Sequence, residues 1–368
     1  MSAVAVAALA LAGTLAACGE DNNGNGDTPA GPGVDADGVV FRMDGEDYDA
    51  YIQRLYDAAK EEGEIVYYQT AGEGELQFIR EQWESLFPDV EFKPVTARGG
   101  TILERALLEV RSGRTGGDVF GGSGQDIVVL EQEDAIWTGW KPAGEENVPE
   151  ELRLDGPYIV VNYLTRHVLY NTNNVDPSEL PSDWMGFCDE RWRGRVLIDA
   201  ESEDWASAFT AYHGEEWTRQ FLTCLRDNDT GQLRGTTAGT EQVVAGEYDV
   251  KLDGMGHINK RFENGGAPIA TMIPSPNPLP LIFDLSVILK GAPNPNAARL
   301  FMEFWLMEEG QRSMSNEGKP VVTDLVEHPY PEYMEGADEQ AVGPDQVPEI
   351  ELTLEMWNEI FFEGGSAP

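Results

Sequence analysis

Residues 281–311 read LIFDLSVILKGAPNPNAARLFMEFWLMEEGQ. Within this stretch Leu285–Leu289 is short, nearly all apolar and contains β-branched residues, which predicts a strand buried on both faces. Gly291-Ala292-Pro293 then interrupts the chain. Asn294 stands where an N-cap belongs and Pro295 at the first helical position. Ala297, Leu300, Phe301, Phe304 and Met307 follow at helical spacing, with Arg299, Glu303 and Glu308 assigned to the solvent side and Gly310 to the C-cap. The pattern predicts a strand-to-helix unit of an α/β domain.

The same alternation extends upstream. Ile52, Leu55, Tyr56 and Ala59 mark one helix face that stops near Gly63. Predicted strands at 64–69, 90–95 and 118–120 alternate with helices at 76–87 and 102–111. Such order implies a mainly parallel sheet, whose ligands sit outside the carboxyl ends of its strands. The loops so placed are 70–74, 98–101 and 121–125. The run 158–170 (YIVVNYLTRHVLY) is long enough to leave one lobe and enter another. A second-lobe strand is expected at 196–199, with a helix face at Trp217, Phe221 and Leu225. The proline-rich segment 267–280 is expected to return the chain as a second hinge crossing, and a helix at 352–362 to pack back on the lobes.

The chain has 368 residues, with 25 Lys+Arg against 66 Asp+Glu and a formal net charge of -41. So acidic a surface repels nucleic acid and anionic lipid and favours a soluble monomer. Residues 1–17 are apolar but too short for a permanent membrane span. They lead to Leu15-Ala16-Ala17-Cys18, which resembles a bacterial lipobox, so a signal peptide and a lipid-anchored Cys18 are expected. A plain secretory signal is the alternative. Residues 18–43 then read as a disordered tether. Of three cysteines, Cys188 and Cys224 remain, either as a disulfide or as two separate thiols. No cysteine spacing suits a metal, and none of His167, His213, His257 and His328 forms an i, i+4 pair, so no preformed metal site is expected.

Several phrases resemble one family, in order along the chain. KGAPNPNAARLFMEF…EGQ is similar to a stretch of the extracellular solute-binding proteins of ABC importers, in the branch that includes ferric-binding proteins. LYDAAKEEGEIVYYQT resembles that family's opening, Tyr170-Asn171-Thr172 its crossing strand, ERWRGRV and VVAGEYDV its second lobe. The resemblance covers about Leu55 to Pro320. It implies an α/β, two-lobed periplasmic-binding-protein-like (Venus-flytrap) fold of type 2 with two hinge crossings. Lobe 1 would comprise 44–165 and 275–322, and lobe 2 166–274 and 323–368. It also implies an exported protein, held by lipid at the outer face of the cytoplasmic membrane or in the periplasm. Such a protein closes on a small-molecule solute and hands it to a membrane permease.

The ferric ligand set does not carry over. The family's adjacent tyrosines after the GEY strand fall on Gly256 and His257, its Ser-Gly-Arg on Asn162-Tyr163-Leu164, and its first-lobe carboxylate on Ser123. A hard ferric ion wants several anionic oxygens, so a small organic solute is expected, with Fe3+ as the alternative cargo and no cofactor. Candidate contacts are Thr70 and Glu73 from the first-lobe loop and Ser123 with its neighbouring backbone N–H groups. From the second lobe come Asp199, Ser202, Trp205, Asp253 and His257, the carboxylates as counter-charges and the rings as flat surfaces. Among 66 acids many are simply solvated. A secreted hydrolase is the rival class, but no H-E-x-x-H occurs and Gly121-Gly122-Ser123-Gly124-Gln125 fails the nucleophile-elbow pattern.

Overall fold

The computed structural model describes residues 32–35, 38–97, 100–274 and 278–363. The expected signal peptide, Cys18 and most of the tether lie outside the described residues, as do Arg98 and Gly99 of one candidate ligand loop. The first half alternates as its periodicity predicts: α1 (Tyr48–Glu62), β1 (Glu64–Gln69), α2 (Glu73–Leu86), β2 (Glu91–Thr96), α3 (Gly100–Arg111), β3 (Val119–Ser123) and α4 (Gly124–Gln132). The long strand β4 (Tyr158–Asn171) leads to β5 (Val196–Asp199), α5 (Glu203–His213), α6 (Glu215–Asp227), β6 (Gly231–Leu233) and α7 (Thr236–Ala245). Then come β7 (Val250–Met255), α8 (Gly256–Asn264), β8 (Ile269–Met272), β9 (Pro278–Ile288), α9 (Pro295–Trp305), α10 (Glu308–Glu317), β10 (Asp338–Val342) and α11 (Val347–Trp357).

Two strands tie the halves together. In the order β2-β1-β3-β9-β4-β7-β5-β6, β1 runs parallel to β2 and β3, and β5 parallel to β6 and β7. Between these groups β4 and β9 run antiparallel, from Tyr158↔Val287 to Thr165↔Leu281. Beyond that point β4 pairs with β7 and β8 instead. The second crossing is therefore β9, not the proline-rich segment 267–280 as a whole, most of which is the short β8 and loop. Leu285–Ile288 is the far end of this longer strand, and Leu289 forms an isolated bridge with Ile136. Pro278 and Pro280 stand at the start of β9, outside its pairing with β4, which reaches only to Leu281, and β10 pairs in parallel with residues 278–282.

Each half has its own apolar core. Trp83, Phe92, Phe301, Phe304 and Trp305 centre one; Trp184, Trp205, Phe209 and Phe221 centre the other, joined by Met356 and Trp357 of α11. Full burial of such a side chain is worth roughly 1.5–3 kcal/mol. Cys188 and Cys224 are joined in the second half, with Cα atoms 5.5 Å apart.

The α9 helix departs from its expected amphipathicity. Arg299 and Glu303, assigned to solvent, are buried. The Arg299 guanidinium donates to Val40 O at 2.8 Å and lies 4.6 Å from the Trp137 ring. Glu303 accepts from Ala143 N at 2.7 Å and Gly144 N at 2.8 Å. Distant segments cover the face that local periodicity left open. Gly310 is not a cap either: α9 ends at Trp305 with Leu306 as its C-cap, and Gly310 sits within α10, where a Cβ would stand 2.0 Å from Phe304 O.

Candidate ligand-binding cleft

Between the halves lies a cleft of about 300 Å³, at the carboxyl ends of β1, β3 and β7. Its first-half wall begins where β1 gives way to α2. Gln69 is buried, at 5 % exposure. Its side-chain Oε1 accepts from Ala71 N at 2.5 Å, while Nε2 has no partner among the described residues. The N-cap of α2 is Gly72, which offers no side-chain cap, so the helix's first-turn N–H groups are left for water or a ligand. Beside it Gly121 must be glycine, because the Tyr67 hydroxyl stands 2.0 Å from where a Cβ would be. Burial pushes the Tyr67 phenol well above its ordinary range.

The crossing strands form the floor. Asn162 on β4 is the register partner of Asp284 on β9. Asn162 Nδ2 donates to Met314 Sδ at 3.3 Å, and its Oδ1 has no partner among the described residues. Lys319, just past the left-handed Gly318 cap of α10, reaches in from the side. Its ammonium lies 2.8 Å from Glu75 and 3.7 Å from Asp284. Burial pulls this ammonium down, but the two carboxylates overcome it, so it stays charged. Burial pushes the Asp284 carboxyl up, only partly countered by Lys319. From the second half come Met255 and His257. Burial, with Lys319, Arg261 and Arg166 nearby, holds the His257 imidazole down at about 3, so it is neutral at neutral pH.

Of the residues singled out from sequence, Thr70 and His257 line this cleft. The others lie outside its lining. Glu73 is exposed on the first turn of α2, and Glu75 takes the place expected for it. Ser123 caps α4, donating to Asp126 Oδ2 at 2.9 Å. Asp199 accepts from Thr236 Oγ1 at 3.2 Å, and its N–H donates to Asp253 Oδ2 at 2.9 Å. Asp253 is fully buried and ion-paired to the equally buried Lys251. Ser202 is fully buried at the start of α5. Trp205 is enclosed by Trp184, Phe209 and Phe221, so it presents no face to a solute. Glu75, Asp284 and Lys319, which the sequence reading did not single out, also line the cleft. Asp284 did leave a signal, as the one charge in the apolar run 279–289. Among the described residues no group of three or more His, Cys, Asp or Glu side chains is arranged to hold a metal ion.

Two α/β halves, two crossing strands and a cleft between them define a two-lobed periplasmic-binding-protein fold of type 2. Residues 131–335 match the family model for bacterial extracellular solute-binding proteins, and the chain belongs to that family. Among curated relatives it is similar to iron uptake protein A1 of Synechocystis, at 29 % identity over 198 residues, 49 % of this chain and 55 % of that one. Iron uptake protein A2 of the same organism is 27 % identical over 198 residues, 48 % and 56 % of the two chains. The chain thus spans about half the length of these relatives. Among solved structures, iron-bound HitA from Pseudomonas aeruginosa superposes with TM-score 0.71 at 18 % identity, over 81 % of this chain and 99 % of that one. AfuA from Actinobacillus pleuropneumoniae, with fructose-6-phosphate bound, gives 0.64 at 17 %, over 82 % and 99 %.

Proposed function

We propose that this chain captures a small organic solute in its interlobe cleft and delivers it, chemically unchanged, to an ABC permease. It is read as an exported monomer, anchored through lipid on Cys18, with no nucleic-acid partner and no catalytic role. A ligand that touches both lobes gains contacts only in the closed form and so shifts the protein towards it. The observation that carries the organic reading is the cleft's lining. An ammonium, three carboxylates and two side-chain amides suit a hydrogen-bonding solute, while by the sequence resemblance Gly256 and His257 fall where ferric-binding members have tyrosines. Ferric iron is the second reading, favoured by the iron-uptake names of the curated relatives and by iron-bound HitA.

The test is thermal unfolding of the purified protein with candidate solutes and with Fe3+. Ligand at a hundred times its Kd stabilises by about 2.7 kcal/mol, a shift that is easily measured. A stabilising organic solute recovered unaltered is the expected result. Stoichiometric iron in protein from its native host would favour the second reading, and conversion of the solute would end the non-enzymatic one.

A further inference from the structure

Building on that reading, the lining of the cleft specifies the chemistry of the solute more closely. It carries two polar groupings of opposite kind. The accepting one pairs Asp284 with Asn162 on adjacent crossing strands. Asp284 is a third exposed, and Lys319 lies 3.7 Å from it but 2.8 Å from Glu75. With Glu317 also in the lining, one ammonium faces three carboxylates, which leaves negative charge for a further cation to meet. Asn162 is 2 % exposed, its Nδ2 is used on Met314, and its Oδ1 awaits a donor.

The donating grouping lies at the start of α2. The uncapped helix end presents N–H groups and the positive pole of its dipole. Gln69, 5 % exposed, adds an unpartnered Nε2, and Thr70 an exposed hydroxyl. Buried donors and acceptors left unmet cost stability until something meets them. We infer that the solute is a zwitterion of amino-acid type, its ammonium held by Asp284 and Asn162 and its carboxylate by Gln69, Thr70 and the amino end of α2. A simple anion would face Asp284 and Glu75 without a counter-charge of its own. A simple cation would leave the Gln69 amide unmet.

Titration calorimetry of the purified protein tests this with the standard amino acids and ω-amino acids. The best binder is then compared with its methyl ester and its desamino analogue. The zwitterion should bind, and each truncated relative should bind roughly 10- to 100-fold more weakly, the range for losing a charged hydrogen bond. Asp284→Asn should weaken the zwitterion by roughly tenfold or more; if that variant does not fold, the analogue series on the unaltered protein decides alone. An ester or desamino compound that binds as tightly as its parent overturns the inference. So does binding by betaines, sugars, polyamines or organic acids in place of amino acids, and in that case solute capture itself still stands. Binding of Fe3+ alone, or of nothing in the panel, overturns both.

Discussion

Lys319 is the residue on which the cleft's electrostatics turn. Its side chain is 10 % exposed and that of Glu75 16 %, so neither charge is well solvated without the other. Removing one partner of a buried pair leaves the second uncompensated, at a cost of about 3–5 kcal/mol. Partial exposure of Asp284, at 33 %, reduces what its own looser contact contributes. Lys319→Met is therefore expected to destabilise the empty protein by roughly 2–4 kcal/mol. Adding Glu75→Gln should recover most of that loss, since the orphaned charge disappears. Urea denaturation of the two single variants and the double variant measures the coupling, and strict additivity would show that the pair does not act as a unit. His167 gives a second prediction at this scale. Both ring nitrogens lack partners among the described residues, and burial holds the imidazole down at about 3 against an ordinary 6.5. The folded state thus refuses a proton that the unfolded chain takes up. This contribution is complete above pH 6.5 and fades by about 1.4 kcal/mol per unit as pH falls from there towards 3. His167→Phe keeps the ring contact with Tyr333 and removes the titration. The variant should gain on the unaltered protein by roughly 3 kcal/mol between pH 7 and pH 4.5. Parallel pH profiles for the two proteins would contradict it.

At the scale of elements, the second-lobe helix α5 shows why chemistry is harder to read from sequence than shape. Trp205, beside several carboxylates in a loop-like stretch, reads as a ligand surface, yet its ring lies 5.1 Å from Phe209 and 5.9 Å from Phe221, inside a core. Trp205→Ala should cost roughly 3–5 kcal/mol of stability, the usual toll for emptying such a site. Solute affinity of the fraction that still folds should stay within about twofold. A loss of affinity with unchanged stability would return Trp205 to the ligand site. The strands and helices themselves were largely legible: α1 with its Gly63 stop, β1, β5 and the long crossing β4 follow from periodicity and caps that act within a few residues. What was not legible depends on distant chain. Glu303 and Arg299 look like solvent residues until residues 40 and 137–144 are folded over them. Asp253 looks like a free counter-charge until Lys251, two residues away on the same strand face, is seen to be paired with it. Glu75 and Lys319 are separated by 244 positions, a distance no local pattern spans.

The whole molecule carries a formal charge of -41, and that has a consequence independent of which solute is bound. Folding compresses most of the chain's 66 carboxylates and 25 cationic side chains into a volume where like charges lie closer than in the expanded chain. Self-repulsion of this kind works against the compact state. Raising ionic strength from 0.01 M to 1 M shortens the screening length from about 30 Å to about 3 Å, which relieves the native state more than the unfolded one. Salt also weakens surface ion pairs such as Arg111–Glu133 and Arg193–Asp229, but each of these is worth about 0–1 kcal/mol at most and they act locally. The repulsive sum should win. For units of this size each kcal/mol moves the melting temperature by about 2–4 °C, so a rise of roughly 5–10 °C across that range is expected for a gain of a few kcal/mol. Screening depends on ionic strength, whereas strengthened apolar burial depends on the identity of the ion. NaCl and KCl should therefore give superimposable curves, with most of the gain below about 0.5 M, where the screening length changes fastest. A melting temperature that stays flat or falls over that range would mean that the ion pairs, not the excess of acid, govern the stability of this fold.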